Sequence, residues 1–255
     1  MNVVFIGSGN VATHLSLAMQ EAGFSAGQVY SRSEAGARTL AGRLHAAWTT
    51  EVREIVGNAD LYVFAVKDDA LQDLVPRVPA NRALWIHTAG SLPMDIFKGH
   101  AKRYGVLYPL QTFSKDRRVD FRQIPCFIEA GSPEDEILLY EIAGRLSDHV
   151  QTLASEKRKY LHLSAVFACN FSNHMYALAS KIVHEQGISP EVLVPLIDET
   201  AAKIHTLSPE KAQTGPAVRY DRNIIDSQTA LLTDPAMKEI YQLISKNIYK
   251  ETIHE

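Results

Sequence analysis

Cysteine is scarce in this 255-residue chain: there are two, Cys126 and Cys169. Two scattered cysteines, with no histidine at ligand spacing, exclude a zinc site and a disulfide scaffold, so no metal is expected. A reducing compartment is the simpler reading. A basic excess is also missing. Lys and Arg number 26 against 29 for Asp and Glu, a net charge of −3, which argues against a nucleic-acid partner. No run of about 18 apolar residues occurs, so no membrane span is expected. The opening Met1-Asn2-Val3-Val4-Phe5-Ile6 lacks the basic flank and the apolar length of a secretory leader, which makes the cytoplasm the default expectation. Internal repeats and low-complexity tracts are absent. What is present is a composition 46% hydrophobic and 22% charged, with enough apolar mass for a core. The length fits one large domain or two ordinary ones.

The first part alternates strand and helix signals. Val3 to Ile6 is a short, β-branched-rich apolar run that reads as a strand buried on both faces. Val11, Leu15, Ala18, Met19 and Ala22 then recur at helical spacing, and Gly23 stops the helix. Further strands fit Gln28–Tyr30, Leu61–Val66, Leu84–Thr88, Val106–Tyr108, Cys126–Glu129 and Val150–Leu153; helices fit Glu34–Leu44 and Pro133–Leu146. Such alternation predicts a parallel sheet covered on both faces. Near Ala154 the rhythm changes. Helical periodicity persists to Gln186, a span of roughly 45 Å. Its face of Leu163, Phe167, Phe171, Met175, Leu178 and Ile182, with an apolar middle, predicts a buried central helix. Ser189-Pro190, Tyr220 or Asp221, and Asp234-Pro235 open later helices. The expected organisation is an α/β Rossmann-type domain over residues 1–153 and an all-helical domain over residues 154–255.

Gly7-x-Gly9-x-x-Ala12 lies between the first strand and the first helix. Gly7 permits a tight turn, Gly9 lets backbone approach a pyrophosphate, and Ala12 allows close helix–strand packing. The free N–H groups at the helix start favour phosphate. This context predicts that Gly7, Ser8, Gly9, Asn10, Val11 and Ala12 cradle a dinucleotide. About 20 residues on, an NAD enzyme places Asp or Glu for the ribose 2′-hydroxyl. Here stand Ser31, Arg32 and Ser33. A base with two hydroxyls and no carboxylate predicts NADP rather than NAD. Ligands in open α/β sheets sit beyond the carboxyl ends of the strands, so Ala65, Val66 and Lys67, and Thr88, Ala89 and Gly90, are expected to line the cofactor. His87 is expected to be hydrogen-bonded at its strand end, Glu156-Lys157-Arg158-Lys159 to be a solvated first turn, and Tyr108 to be core.

His162, Asn170 and Asn173 interrupt an apolar helix. They form either a structural hydrogen-bond network or a catalytic patch, in which Asn170 orients a substrate oxygen or the nicotinamide amide and His162 shuttles a proton. Arg219 and Asp221 follow a Gly-Pro turn. Arg219 suits a carboxylate substrate, or pairs with Asp221.

Longer stretches carry a resemblance: GSGNVA, AVKDD, HTAGS (residues 87–91), LYPLQTFS (107–114), HLSAVFACNFSNH (162–174) and TGPAVRYD (214–221). Together they resemble the Rossmann-like, short-subunit dehydrogenase-like family called domain of unknown function 2520. That family sits within the superfamily of ketopantoate reductases, pyrroline-5-carboxylate reductases, hydroxyisobutyrate-type dehydrogenases and deazaflavin-dependent NADP oxidoreductases. The resemblance implies an NAD(P)-binding oxidoreductase with a helical domain of the 6-phosphogluconate-dehydrogenase-like type, acting on a small-molecule substrate. It also implies association through the helical half. A homodimer is expected independently, because a small helical domain cannot cover so apolar a helix alone. One departure stands out. Hydroxyacid-type members carry a lysine four residues before an asparagine; Asn170 could be that asparagine, but Val166 occupies the lysine position. The departure keeps a non-catalytic dinucleotide-binding or redox-sensing protein as the alternative.

Overall fold

The computed structural model describes residues 1–252. The chain divides into two compact units, the first Met1–Cys169 and the second starting at Asn170.

The first unit runs β1 (Asn2–Ile6), α1 (Asn10–Glu21), β2 (Ser25–Tyr30), α2 (Glu34–Leu44), β3 (Ala47–Thr49), β4 (Leu61–Phe64), α3 (Asp68–Leu74), β5 (Leu84–His87), β6 (Arg103–Pro109), β7 (Cys126–Ala130), α4 (Pro133–Gly144), β8 (Val150–Thr152) and α5 (Ser155–Ala165). The strands form one sheet in the order β3-β2-β1-β4-β5-β6-β7-β8. Alternate residues of β1 face opposite ways. Val3 and Phe5 join Leu15, Met19, Val63, Ile86 and Leu107 in one core. Val4 and Ile6 join Tyr62, Phe64, Trp85 and Phe97 in the other. A sheet covered on both faces explains why these strands read as unbroken apolar runs.

Ile6 pairs with Tyr30 and Phe64, and Phe64 with His87. The carboxyl ends of β1, β2, β4 and β5 therefore reach one edge in register, and the turns that follow them open together. The sheet is not wholly parallel as expected: β7 runs antiparallel to β6. Parallel neighbours need a crossover, usually a helix, and the chain between β6 and β7 holds only one short helical turn, Phe121–Gln123. The edge strand β3 carries no run long enough to read, and its Trp48 is 41% exposed.

The second unit contains α6 (Ser172–Glu185), α7 (Val194–Lys203), α8 (Pro209–Ala212), α9 (Arg222–Leu231) and α10 (Pro235–Thr252), with no strand among the described residues. The predicted caps are in place. Ser189 Oγ accepts from Glu191 N–H, Asp221 Oδ1 from Ile224 N–H and Asp234 Oδ1 from Ala236 N–H. The long helix expected through Gln186 is interrupted at Val166–Phe171 by a π-helical turn, and the boundary between the units falls within that turn. Burial of its apolar face is not seen in the single chain: Leu163 is 51% exposed and Ile182 42%. Among the described residues no helix is long and apolar enough to cross a membrane.

Candidate functional site

A cleft of about 760 Å³ opens at the carboxyl edge of the sheet, wholly within the first unit. The turn after β1 contributes Gly7, Ser8, Gly9, Asn10 and Val11. The end of β2 contributes Ser31, Arg32 and Ser33; β4, Ala65, Val66 and Lys67; β5, Thr88, Ala89 and Gly90. Ala12 does not line it. It is fully buried in the core under α1, the packing role its place in the fingerprint requires.

The two glycines act differently. Gly7 has φ +122, a conformation that side chains avoid, and its N–H donates to Tyr30 O at 2.8 Å. A Cβ there would lie 2.2 Å from Ala65 O, so the turn closes only on glycine. A Cβ on Gly9 would meet nothing within 4 Å; the space is in the cleft. The first N–H groups of α1 have no partner within the helix, and with the helix dipole they suit an anion. The residues present thus fit a pyrophosphate. Ser8 Oγ donates to Ser31 Oγ at 2.8 Å, and Ser33 Oγ accepts from Gly36 N–H to cap α2. Arg32 is exposed at the rim, with no ion pair among the described residues. The Asn10 amide is committed elsewhere: Nδ2 donates to Phe113 O at 2.7 Å and ties down the loop after β6.

The far end of the cleft brings together residues distant in sequence. His162, on α5, and Tyr108, near the end of β6, both line it, and Tyr108 Oη lies 2.9 Å from His162 Nδ1. The Tyr108 phenol is pushed above its ordinary range by burial, against a lowering effect of Arg158. His87 is fully buried. Its Nδ1 accepts from Ala89 N–H at 3.1 Å, and its Nε2 faces Pro93 O at 3.3 Å. Burial first, then Arg158, pushes its pKa down to about 3. A neutral imidazole with both nitrogens engaged holds the loop that carries Thr88–Gly90.

Arg158 corrects the expected solvated turn. It is 1% exposed. Nη1 donates to Glu129 Oε2 at 2.5 Å, and Nη2 to Leu92 O at 2.7 Å and Ser155 Oγ at 3.0 Å. It pins α5 to β7 and to the loop after β5, which explains why α5 belongs to the sheet unit. At Glu129, burial alone would raise the carboxyl pKa, but hydrogen bonds from Ser155 and Arg158 outweigh it and hold the group below its usual range.

Asn170, Asn173, Arg219 and Asp221 lie in the second unit. The first three are exposed, and Asp221 is occupied in capping α9. Of the catalytic candidates, only His162 lies in the sheet unit and lines this cleft. Sequence reading missed Tyr108, Arg158 and Gln111, another lining residue. Position at the end of a strand was an available signal for Tyr108, and position just beyond it for Gln111. The four-residue spacing to His162, one helical turn, was the signal for Arg158. No group of three His, Cys, Asp or Glu side chains among the described residues is placed to hold a metal.

Comparison with known proteins finds two family matches, the second of which spans the boundary between the units. Residues 2–88 match the family described as NADP oxidoreductase coenzyme F420-dependent, and residues 124–248 match domain of unknown function 2520. No curated protein matches the sequence. A Bacteroides fragilis structure described as a "putative NADP oxidoreductase" is 50% identical over 98% of each chain, with a TM-score of 0.93. A Thermotoga maritima protein is 23% identical over 99% of this chain and 98% of its own, with a TM-score of 0.72. An imine reductase from Myxococcus stipitatus, in complex with NADP+, is 17% identical over 100% and 93%, with a TM-score of 0.66. The last two are likenesses of fold. None of these matches is described as short-subunit dehydrogenase-like; that part of the expected relationship gives way to the NADP oxidoreductase description.

Proposed function

This chain belongs to the family that joins a nucleotide-binding half of the coenzyme F420-dependent NADP oxidoreductase type to domain of unknown function 2520, and on that premise we propose that it is an NADP-dependent oxidoreductase acting on a small polar metabolite: a keto acid, a hydroxy acid or an imine. The observation that carries the reading is the cradle at Gly7 and Gly9, one glycine closing the turn against Ala65 O and the other facing open cleft. Gly7 to Val11 would hold the pyrophosphate. Ser31, Arg32 and Ser33 would take the 2′-phosphate, Arg32 by charge-assisted hydrogen bonds, which favours NADP over NAD. Ala65, Val66, Lys67, Thr88, Ala89 and Gly90 would border the rest. When bound, the reduced nicotinamide supplies hydride. His162 would move the accompanying proton. Asn170, which would orient a substrate oxygen or the nicotinamide amide, and Asn173 belong to the same proposal as catalytic candidates, and Arg219 and Asp221 as substrate-binding ones.

Turnover tests the reading. NADPH oxidation by at least one member of an aldehyde, keto-acid and imine panel is the expected result. Cofactor binding with no turnover across the panel would favour the alternative, a non-catalytic dinucleotide-binding or redox-sensing protein, for which Val166 is the motivating residue. A cytoplasmic setting and a homodimer through the helical half belong to the same proposal. The dimer is motivated by apolar side chains left exposed in the single chain, among them Leu196 at 64%, Leu231 at 80% and Leu243 at 61%. Light scattering at micromolar protein should give twice the chain mass; a concentration-independent monomer would contradict it.

A further inference from the structure

We propose that Tyr108 is the proton donor of this site and that His162 positions its hydroxyl and restores its proton. The inference rests on the oxidoreductase reading and names the group that hands the proton to the substrate, with His162 behind it. Tyr108 leaves the carboxyl end of β6 with its hydroxyl 2.9 Å from His162 Nδ1, the two rings meeting edge to face at 5.9 Å and 77°. The imidazole lies directly on Gly90: a Cβ there would sit 2.6 Å from its Nδ1 and Cγ. Glycine at this position lets the ring reach Tyr108, and the backbone keeps it from swinging toward β5. Both side chains line the cleft.

The charged and titratable surroundings favour a protonated phenol as the resting state. Arg158, one turn before His162 on α5, acts the other way on the phenol, but burial outweighs it, and its charge is paired with Glu129 of β7 at 2.5 Å. Cys169 adds to the upward push on the phenol that burial begins. His87 on β5 is held neutral. Lys67 and Asp68 stand on the rim, Asp68 accepting a hydrogen bond from Ser91 Oγ. A neutral phenol beside an imidazole has two arrangements. With the imidazole proton on Nδ1, His162 donates to Oη, and the Tyr108 O–H is free to donate into the cleft.

The proton accounting closes. A C=O or C=N carbon that accepts hydride from reduced nicotinamide leaves its oxygen or nitrogen one proton short. The Tyr108 Oη–H bond breaks as the new O–H or N–H bond forms. The His162 Nδ1–H bond breaks as Oη–H re-forms, Nε2 takes a proton from water, and exchange with solvent (a proton lost from Nε2, one gained at Nδ1) restores the starting tautomer. The substrate thus gains one hydride and, in net terms, one proton from solvent.

The test uses the full chain with NADPH and two probes, glyoxylate and 1-pyrroline. Tyr108→Phe should bind NADPH as the wild type does, keep KM for the probe, and lose about 10²- to 10⁴-fold in kcat, the range of general acid catalysis. His162→Gln should lose less. The pH profile should stay level through neutrality and fall only above about pH 10, where tyrosine ionises. Independently of turnover, one histidine Nδ1 resonance in ¹⁵N spectra of the cofactor-free protein should shift in Tyr108→Phe. Wild-type kcat in Tyr108→Phe, or a profile that falls through neutrality, would each overturn the inference alone. Reduction of neither probe by NADPH-loaded protein would count against the oxidoreductase reading and overturn this inference with it. Failure of the wild type to bind NADPH would overturn the oxidoreductase reading and this inference with it.

Discussion

Gly7 and Gly9 sit two residues apart in one turn, yet substitution should expose two separate physical roles. In Gly7→Ala the new Cβ would stand 2.2 Å from Ala65 O, a backbone atom whose residue is fixed by an N–H bond to Ile6 O at 2.8 Å. The residue would also hold φ +122, where backbone strain of roughly 1–3 kcal/mol is expected. With the clash added, a loss of about 3 kcal/mol or more follows, or roughly 6–12 °C in Tm at the 2–4 °C per kcal/mol expected for a chain this long. In Gly9→Val the backbone stays at an ordinary φ of −77 and the new Cβ meets nothing within 4 Å beyond its chain neighbours. Its Tm should therefore move by no more than about 2 °C. The valine would occupy pyrophosphate space, and NADPH affinity should fall at least about 30-fold, near 2 kcal/mol. Differential scanning fluorimetry and isothermal titration with NADPH read the two effects. A folded Gly9→Val protein with intact NADPH affinity, or a Gly7→Ala protein with unchanged Tm, would refute the reasoning.

The buried His87, with a folded pKa of about 3, binds fewer protons than in the unfolded chain. Stability should be full above about pH 6.5 and decline as the pH falls toward 3; urea unfolding at pH 7 and pH 4.5 measures the difference. Glu129, held low, adds to the same decline as the pH falls through its folded value. Cys126 is buried and its thiol is pushed up to about 12, whereas Cys169 is exposed. A thiol reagent at pH 8 should therefore modify one site per native chain and two after unfolding. Arg158→Met leaves the Glu129 carboxylate without its cation and should cost about 3–5 kcal/mol by denaturant titration; adding Glu129→Leu should recover part of the loss.

How legible these features were depended on their range. The phosphate turn could be read because strand, glycines and amphipathic helix all fall within one short stretch, where local sterics decide the conformation. The direction of β7 could not, since apolar periodicity is the same for either orientation; only the lack of a helix between β6 and β7 distinguishes them. Arg158 hid among charged neighbours that do face solvent, and its burial depends on Glu129 and Leu92 O, both remote in sequence. The Tyr108–His162 contact spans 54 residues and leaves no local pattern. The π-helical turn at Val166–Phe171 interrupts a periodicity that reads as continuous, because one irregular turn barely alters the spacing of apolar residues.

Cofactor discrimination tests the central claim most directly. The proposed NADP site rests on Arg32, exposed at the cleft rim between Ser31 and Ser33. Isothermal titration of the wild type and Arg32→Ala with NADPH and NADH, at one fixed ionic strength, separates a 2′-phosphate contact from a general charge effect. NADPH should bind more tightly than NADH to the wild type. Arg32→Ala should cost NADPH about 1.5–3 kcal/mol, the worth of a charge-assisted hydrogen bond, and leave NADH unchanged. Equal affinity of the intact protein for the two cofactors, or no binding of either, would contradict the account.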